Sequence, residues 1–95
     1  MALIVVWSRT ARRTLWRLTS RIAHDNPAAA WALSQRLVVA AGRLAELPYL
    51  GRPGLKRDTR ELVVHPNYLV IYRVLPDKID VVSVKHARQD YRRSP

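Results

Sequence analysis

The chain has 95 residues, no cysteine and a formal net charge of +10. This length fits one domain, and the absence of cysteine excludes disulfides and thiolate metal sites. Seventeen Lys and Arg residues oppose seven Asp and Glu residues, and arginine outnumbers lysine fourteen to three. Because the guanidinium fork suits bidentate contact with phosphate or carboxylate, the charge predicts a nucleic acid or an acidic protein as partner. A coding bias that places arginine on solvated faces is the alternative, and it carries more weight for the first helix than for the later hairpin.

The chain is expected to be a soluble cytoplasmic protein that does not enter a membrane. The apolar run at residues 2–7 is too short for a signal sequence and lacks a basic segment before it. No apolar stretch approaches the roughly 20 residues that a membrane span needs. No metal and no cofactor are expected, because His24, His65 and His86 lack the spacing of metal ligands.

A strand and an amphipathic helix are the first predicted elements. Residues 2–7 are β-branched and aromatic, which indicates a buried strand. Ser8 is a good N-cap for a helix of about four turns. The apolar positions of this helix recur at helical spacing, at Ala11, Leu15, Leu18 and Ile22. Its arginines fall mostly on other faces, at Arg9, Arg12, Arg13, Arg17 and Arg21.

A second helix is predicted to begin at Asn26-Pro27, where asparagine can cap and proline needs no hydrogen bond. The short connection predicts an antiparallel helical hairpin. The apolar stripe of the second helix comprises Ala30, Leu33, Leu37, Ala40, Ala41, Leu44 and Leu47. Trp31, Val38 and Val39 lie partly outside this stripe. A wide core stripe explains each of the three alone, whereas together they leave open a protein-binding surface.

The stretch at residues 49–58 contains glycine, proline and charge without periodicity, which predicts a loop. This loop is placed to present Arg52, Lys56 and Arg57. Three strands are then expected at residues 59–65, 68–75 and 79–85, joined by turns at Pro66-Asn67 and Pro76-Asp77. The middle one should be central because both of its faces are largely apolar. A polar tail or one helical turn follows.

The order β-α-α-β-β-β defines an α+β fold in which a helical hairpin packs on a small, mainly antiparallel sheet. Residues 1–95 are expected to form one domain, because the sequence has no repeat, linker or low-complexity tract. The predicted core contains Leu15, Leu18, Leu33, Leu37, Leu44, Val70 and Tyr72.

Four segments combine at a specific spacing in the second half of the chain. They are Gly51-Arg52-Pro53-Gly54, Thr59-Arg60-Glu61-Leu62-Val63, Tyr68-Leu69-Val70-Ile71-Tyr72-Arg73-Val74 and Val84-Lys85-His86-Ala87-Arg88-Gln89. Together with the proline at the start of the second helix, this combination resembles toxins of the RelE/ParE superfamily from bacterial toxin–antitoxin pairs. The resemblance covers nearly the whole chain. It implies growth arrest, plasmid stabilisation and a hetero-oligomer with a cognate acidic antitoxin.

The resemblance implies one of two activities, because RelE-like members cut messenger RNA on the ribosome whereas ParE-like members poison DNA gyrase. Metal-independent RNA cleavage needs a base, an acid and cations around the phosphate. The candidates for these roles are His86, Arg60, Arg73, Lys85, Arg88 and Tyr91. The family's nucleases place an arginine or histidine early in the strand where this chain has Leu69, which can neither hold a phosphate nor move a proton. The resemblance therefore favours a non-enzymatic gyrase inhibitor.

Binding to an antitoxin or target is assigned to apolar and cationic residues. A helix and an added strand are expected to dock on Trp31, Val38 and Val39 and on a sheet face bearing Leu69 and Ile71. The accompanying cations are Arg52, Lys56, Arg57, Arg60 and Arg73. A plain nucleic-acid-binding module is a third alternative, disfavoured because the sequence shows no recognised binding motif or aromatic stacking platform.

Overall fold

The computed structural model of the chain describes residues 2–87. In this range two α-helices and a short 3-10 turn are combined with five strands. The elements are β1 (Ile4–Trp7), α1 (Arg9–Asp25), α2 (Pro27–Gly42), the 3-10 turn (Arg43–Ala45), β2 (Arg52–Pro53), β3 (Arg60–His65), β4 (Tyr68–Val74) and β5 (Lys78–His86). None of the helices in this range has the length and apolar character needed to cross a membrane.

Both helix starts form as the sequence predicts. The Ser8 Oγ accepts a hydrogen bond of 3.0 Å from the Ala11 amide, and the Asn26 Oδ1 accepts one of 3.1 Å from the Ala29 amide. Pro27 occupies the first helical position, where a missing N–H is harmless. Each side-chain cap is worth about 1 kcal/mol, so the two local signals define where the hairpin begins and turns.

The sheet has the strand order β1-β5-β4-β3-β2, with β1 parallel to β5 and the other neighbours antiparallel. The predicted meander is therefore confirmed, and β4 is central as expected. A register shift opposite Ile71 and Tyr72 leaves Val82 as an extra residue in β5. Two hydroxyls, from the N-cap of α1 and from its second turn, bond to the backbone at this bulge. Ser8 donates to the Val82 carbonyl at 3.1 Å, and Thr14 accepts from the Val84 amide at 3.0 Å. These two bonds fix α1 against the sheet.

One face of the sheet packs against the hairpin and forms the core. Leu37, Leu44, Val70 and Tyr72 are fully buried there, as predicted. Three further predicted core residues, Leu15, Leu18 and Leu33, are partly buried and pack against the same cluster. The helical and sheet periodicities therefore identified the shared core correctly.

Three local expectations are wrong. The strand β1 is not buried on both faces, since it lies at the sheet edge and exposes Ile4 and Val6. The second helix ends at Gly42, and Leu47 beyond it is exposed instead of lying on the apolar stripe. The predicted loop contains β2, whose two residues pair with Arg60 and Glu61. A strand of two residues has no periodicity that a sequence pattern can reveal.

The hydroxyl of Tyr72 connects the core to the segment before β2. It accepts a hydrogen bond of 2.9 Å from the Gly51 amide and donates one of 2.8 Å to the Pro48 carbonyl. Space is tight at this point, because a Cβ on Gly51 would lie 2.6 Å from the Glu61 carbonyl oxygen. Tyr72 therefore holds the chain between Pro48 and Gly51 against the central strands.

Replacing Tyr72 with phenylalanine should destabilise the protein although it preserves the packed ring. The change leaves a buried amide and a carbonyl without their partner, which costs about 1 to 3 kcal/mol. Urea unfolding measures this loss. The matched control is Tyr49→Phe, whose hydroxyl is exposed and whose effect should stay within about 0.5 kcal/mol. Equal stability of the Tyr72→Phe variant and the unmodified chain would contradict the role given to the hydroxyl.

Candidate functional site

A groove of about 310 Å³ runs between the C-terminal half of α2 and the edge strand β3. We call it the α2–β3 groove. Six of its eight lining residues are apolar, and the other two are exposed arginines from α2 and the following turn. Its lining residues are Arg36, Val39, Ala40, Arg43, Leu50, Leu62, Val63 and Val64. Apolar side chains beside exposed cations suit an amphipathic segment that carries carboxylates.

The strand beside this groove has an open edge. The short strand β2 pairs only with Arg60 and Glu61, so within residues 2–87 no strand pairs with the outer side of β3 from residue 62 to residue 65. Val63 lies on this stretch and is exposed. Unpaired backbone groups along an edge strand form a template for one more strand. The open edge spans about 13 Å at 3.3 Å per residue.

Arg52 was predicted to bind a carboxylate of a partner, but it already binds a carboxylate of its own chain. Its Nε donates to Glu61 Oε1 at 2.8 Å, and the Glu61 side chain is fully buried while that of Arg52 is 55% exposed. The pair joins β2 to β3 beside the groove. Arg52 therefore stabilises the pairing of β2 with β3, and about half of its side chain remains accessible to a partner.

Arg60 is also engaged within the chain. Its Nε and Nη2 donate to the Gly51 carbonyl at 3.0 and 2.6 Å, and its guanidinium carbon lies 5.2 Å from the centre of the Tyr49 ring. This arrangement makes Arg60 a clamp on the loop before β2. Lys56, Arg57 and Arg73 are exposed, so the loop presents the first two as predicted.

The expectation of an open apolar sheet face at Leu69 and Ile71 is wrong. Both lie on the face away from the helices, but they are only 5% and 6% exposed. They belong to the central strand, where side chains of both neighbouring strands flank them. Val63 and Lys85 stand opposite Leu69, and Glu61 and Ser83 stand opposite Ile71. The accessible apolar surface lies instead at the β3 edge.

The extra apolar residues of α2 lie on the surface. Trp31 is 68% exposed, Val39 63% and Val38 43%, so they do not widen the core stripe. Only Val39 of the three lines the α2–β3 groove. Sequence patterning thus found the exposed apolar side of the helix but not which residue faces the sheet edge.

The nuclease candidates that the structure describes are not brought together. His86 ends β5, where its ring meets that of Tyr68 edge to face at 5.0 Å. Arg60 stands opposite Tyr72, four residues and about 13 Å further along β4. Arg73 and Lys85 lie on the other face of the sheet, where they pair in register with Asp80 and Leu69. Arg88 and Tyr91 lie outside the described residues.

Several residues of the groove were missed by sequence reasoning. Arg36, Arg43, Leu50 and Val63 were not singled out, because their proximity depends on how α2 packs beside β3. One signal was available in Leu62-Val63-Val64. Three consecutive apolar residues in a strand indicate that both of its faces meet apolar surroundings. Here Val63, the middle residue of the three, is exposed beside the open edge of β3.

Comparisons with known proteins agree with this architecture. The family model described as the ParE toxin of the type II toxin–antitoxin system parDE matches residues 5–91. A putative toxin, Y4kP, of Sinorhizobium fredii is 37% identical over 86 residues, which span 90% of this chain and 88% of that protein. Toxin RelE2 of Caulobacter vibrioides is 37% identical over 83 residues, which span 87% and 93%.

Solved structures share the fold. A chain of the chromosomal ParDE system from P. aeruginosa superposes with a TM-score of 0.81 at 19% identity, covering 90% of this chain and 96% of that one. A chain of the RelBE2 toxin–antitoxin complex from Mycobacterium tuberculosis gives 0.63 at 24% identity, covering 90% and 99%. The family match and the two relatives define the class: the chain belongs to the ParE toxin family, within the RelE/ParE superfamily. It is a toxin of a type II toxin–antitoxin system.

A double-mutant cycle on Arg52 and Glu61 tests their pairing. Arg52→Met should lower the free energy of unfolding by about 1 to 2 kcal/mol, less than for a fully buried pair because Arg52 is half exposed. In a Glu61→Gln background the same change should cost much less, because the carboxylate is already gone. Lys56→Met is the control for losing an exposed cation. Equal costs of Arg52→Met in both backgrounds would show that the pair contributes nothing.

Proposed function

We propose that this toxin arrests growth by inhibiting DNA gyrase and that a cognate acidic antitoxin neutralises it. The first part rests on one observation: the nuclease candidates within residues 2–87 are not brought together. His86 and Arg60 stand at opposite ends of β4, and Arg73 and Lys85 lie on the other face of the sheet. General acid–base cleavage of RNA requires a base, an acid and a cation within hydrogen-bond reach of one phosphate. This arrangement supports binding over catalysis.

Leu69 supports the same proposal. It occupies the strand position at which the family's nucleases carry an arginine or histidine, and it is buried between Val63 and Lys85. An aliphatic side chain there packs the sheet and leaves no polar group for a substrate. The match to the ParE toxin family supports the same proposal, because the sequence resemblance associates ParE-like members with the poisoning of gyrase.

A RelE-like, ribosome-dependent endoribonuclease is the second candidate. One relative at 37% identity is named toxin RelE2. The nuclease alternative relies on His86, because an imidazole can transfer protons. It lines a cavity near the α1–α2 turn together with Arg21, Asp25 and Tyr68. A substrate phosphate placed there would meet one cation and one imidazole, which is a sparse set for phosphoryl chemistry.

The antitoxin is proposed to dock at the α2–β3 groove and the adjoining edge. An extended segment of the antitoxin pairs with β3 from residue 62 to residue 65, on the side where β2 covers only Arg60 and Glu61. Apolar residues of the antitoxin fill the floor formed by Val39, Ala40 and Leu50, and its carboxylates meet Arg36 and Arg43. The net charge of +10 speeds encounter with an acidic chain, while apolar contact supplies most of the affinity.

Gyrase supercoiling and ribosome cleavage assays separate the two activities. The purified toxin is expected to inhibit supercoiling of relaxed plasmid and to leave ribosome-bound messenger RNA intact. His86→Ala should inhibit gyrase as strongly as the unmodified toxin, because no chemistry depends on the imidazole. Unaffected gyrase, combined with messenger RNA cuts that disappear in His86→Ala, would replace the proposal with the nuclease alternative.

Binding kinetics with the cognate antitoxin test the docking surface. Val39→Ala should raise the dissociation rate about tenfold, because it empties the groove floor, whereas the adjacent Val38→Ala should change it little. Arg36→Gln and Arg43→Gln should mainly slow association and weaken its dependence on salt. Stopped-flow measurements over a salt series report both rates. Equal effects of the two valine variants, or association that ignores ionic strength, would refute the docking model.

A further inference from the structure

The outward face of α1 carries a charged surface that the proposed function does not use. Five of the nine exposed positions of α1 are arginine, against one of ten on α2. A coding bias toward arginine would act on both helices of the same hairpin, so it does not explain this difference. The exposed arginines of α1 are Arg9, Arg12, Arg13, Arg17 and Arg21, and we call this surface the α1 arginine face.

The α1 arginine face is continuous along the helix. Arg9, Arg13, Arg17 and Arg21 recur every four residues and form one row about 18 Å long at 1.5 Å per residue. At 100° per residue the face is centred opposite the stripe that contains Ala11, Leu15, Leu18 and Ile22. Since Ser8 and Thr14 bind α1 to the bulge in β5, this orientation toward solvent is fixed.

The arrangement lowers the stability of the helix that carries it. Like charges four residues apart repel, and cations in the first turn oppose the positive end of the helix dipole. The first turn contains no acidic residue, and the salt bridge found within residues 2–87 joins Arg52 to Glu61 and involves no residue of α1. A bound anion would relieve the repulsion among these arginines, so the surface is expected to bind one.

Trp16 stands within the same face. The indole is 70% exposed, and residues 12 and 13 precede it by one helical turn. An exposed indole among arginines offers a stacking surface for a nucleobase while the guanidinium groups contact phosphates. The sequence alone had suggested that no stacking platform exists, because the exposure of Trp16 depends on how α1 packs on the sheet.

We propose that the α1 arginine face and Trp16 bind single-stranded nucleic acid, with phosphates along the arginine row and one base stacked on the indole. An acidic protein fits this surface less well. Its affinity would require an apolar groove, and Trp16 is the one large apolar side chain among the exposed residues of α1. A duplex fits less well because its bases are stacked on each other and unavailable to Trp16. The proposal is independent of gyrase inhibition.

Fluorescence anisotropy tests the proposal by measuring the binding of labelled oligothymidylate and oligouridylate of 20 nucleotides and of a DNA duplex of equal length. Both single strands are expected to bind more tightly than the duplex. The logarithm of the binding constant should fall with the logarithm of salt concentration with a slope of about −3.5 if all five arginines contact phosphates. The two single strands distinguish DNA from RNA as the preferred ligand.

Substitutions of the two exposed tryptophans separate stacking from charge. Trp16→Ala should weaken binding about tenfold without changing the salt slope, and Trp16→Phe should restore most of the loss. Trp31→Ala is the matched control, since that indole is 68% exposed on the other helix, and it should have no effect. Arg13→Gln and Arg17→Gln should each reduce the slope by about 0.7.

Three results would overturn the proposal. The first is equal binding by the Trp16→Ala and Trp31→Ala variants. The second is a duplex that binds as tightly as the single strands, because stacking would then play no part. The third is polyglutamate that displaces the oligonucleotide as effectively, charge for charge, as unlabelled oligothymidylate. Because Trp16 is exposed, failure of its variant to bind cannot be attributed to a lost core contact.

Discussion

The hydrogen bonds of the Tyr72 hydroxyl determine where the working surfaces of the toxin can form. The tyrosine ring fills the core, and its oxygen holds the Pro48 carbonyl and the Gly51 amide. The Gly51 carbonyl in turn accepts both hydrogen bonds from Arg60. This chain of contacts fixes the segment between the helices and β2, and so it fixes Leu50 beside the α2–β3 groove.

The same constraint explains why β3 keeps an open edge. In the antiparallel pairing Arg52 and Pro53 lie opposite Glu61 and Arg60, so the residues before Arg52 would have to cover β3 from residue 62 onward. The Gly51 amide instead donates to the Tyr72 hydroxyl and is not available to pair with β3. The buried Glu61 carboxylate and Arg52 reinforce this short pairing. The edge beyond it remains free within the described residues. An unprotected edge with exposed Val63 favours aggregation unless a strand covers it, which is consistent with a toxin that functions alongside a partner.

Local sequence signals predict most of the fold. Ser8, Asn26 and Pro27 each act within a few residues of the helix start that they define, and the apolar residues on both faces of β4 follow from its central position. The site depends on contacts between residues far apart in sequence. Glu61 for Arg52, Gly51 for Arg60 and the flanking strands for Leu69 are all such contacts, so the sequence identified these side chains without their partners. The exposure of Trp16 and Val39 is nonlocal in the same way.

The positions of the arginines indicate which partner each surface binds, and the net charge alone does not. The net charge of +10 attracts any anion within about 8 Å of the surface at physiological salt. However, Arg36 and Arg43 border an apolar groove, whereas the arginines of α1 surround a single exposed indole. Apolar contact with local charge suits an extended peptide segment, and a charged row with an aromatic ring suits a nucleic-acid strand. The two surfaces lie on different helices, so a segment seated beside α2 and β3 leaves the outward face of α1 accessible.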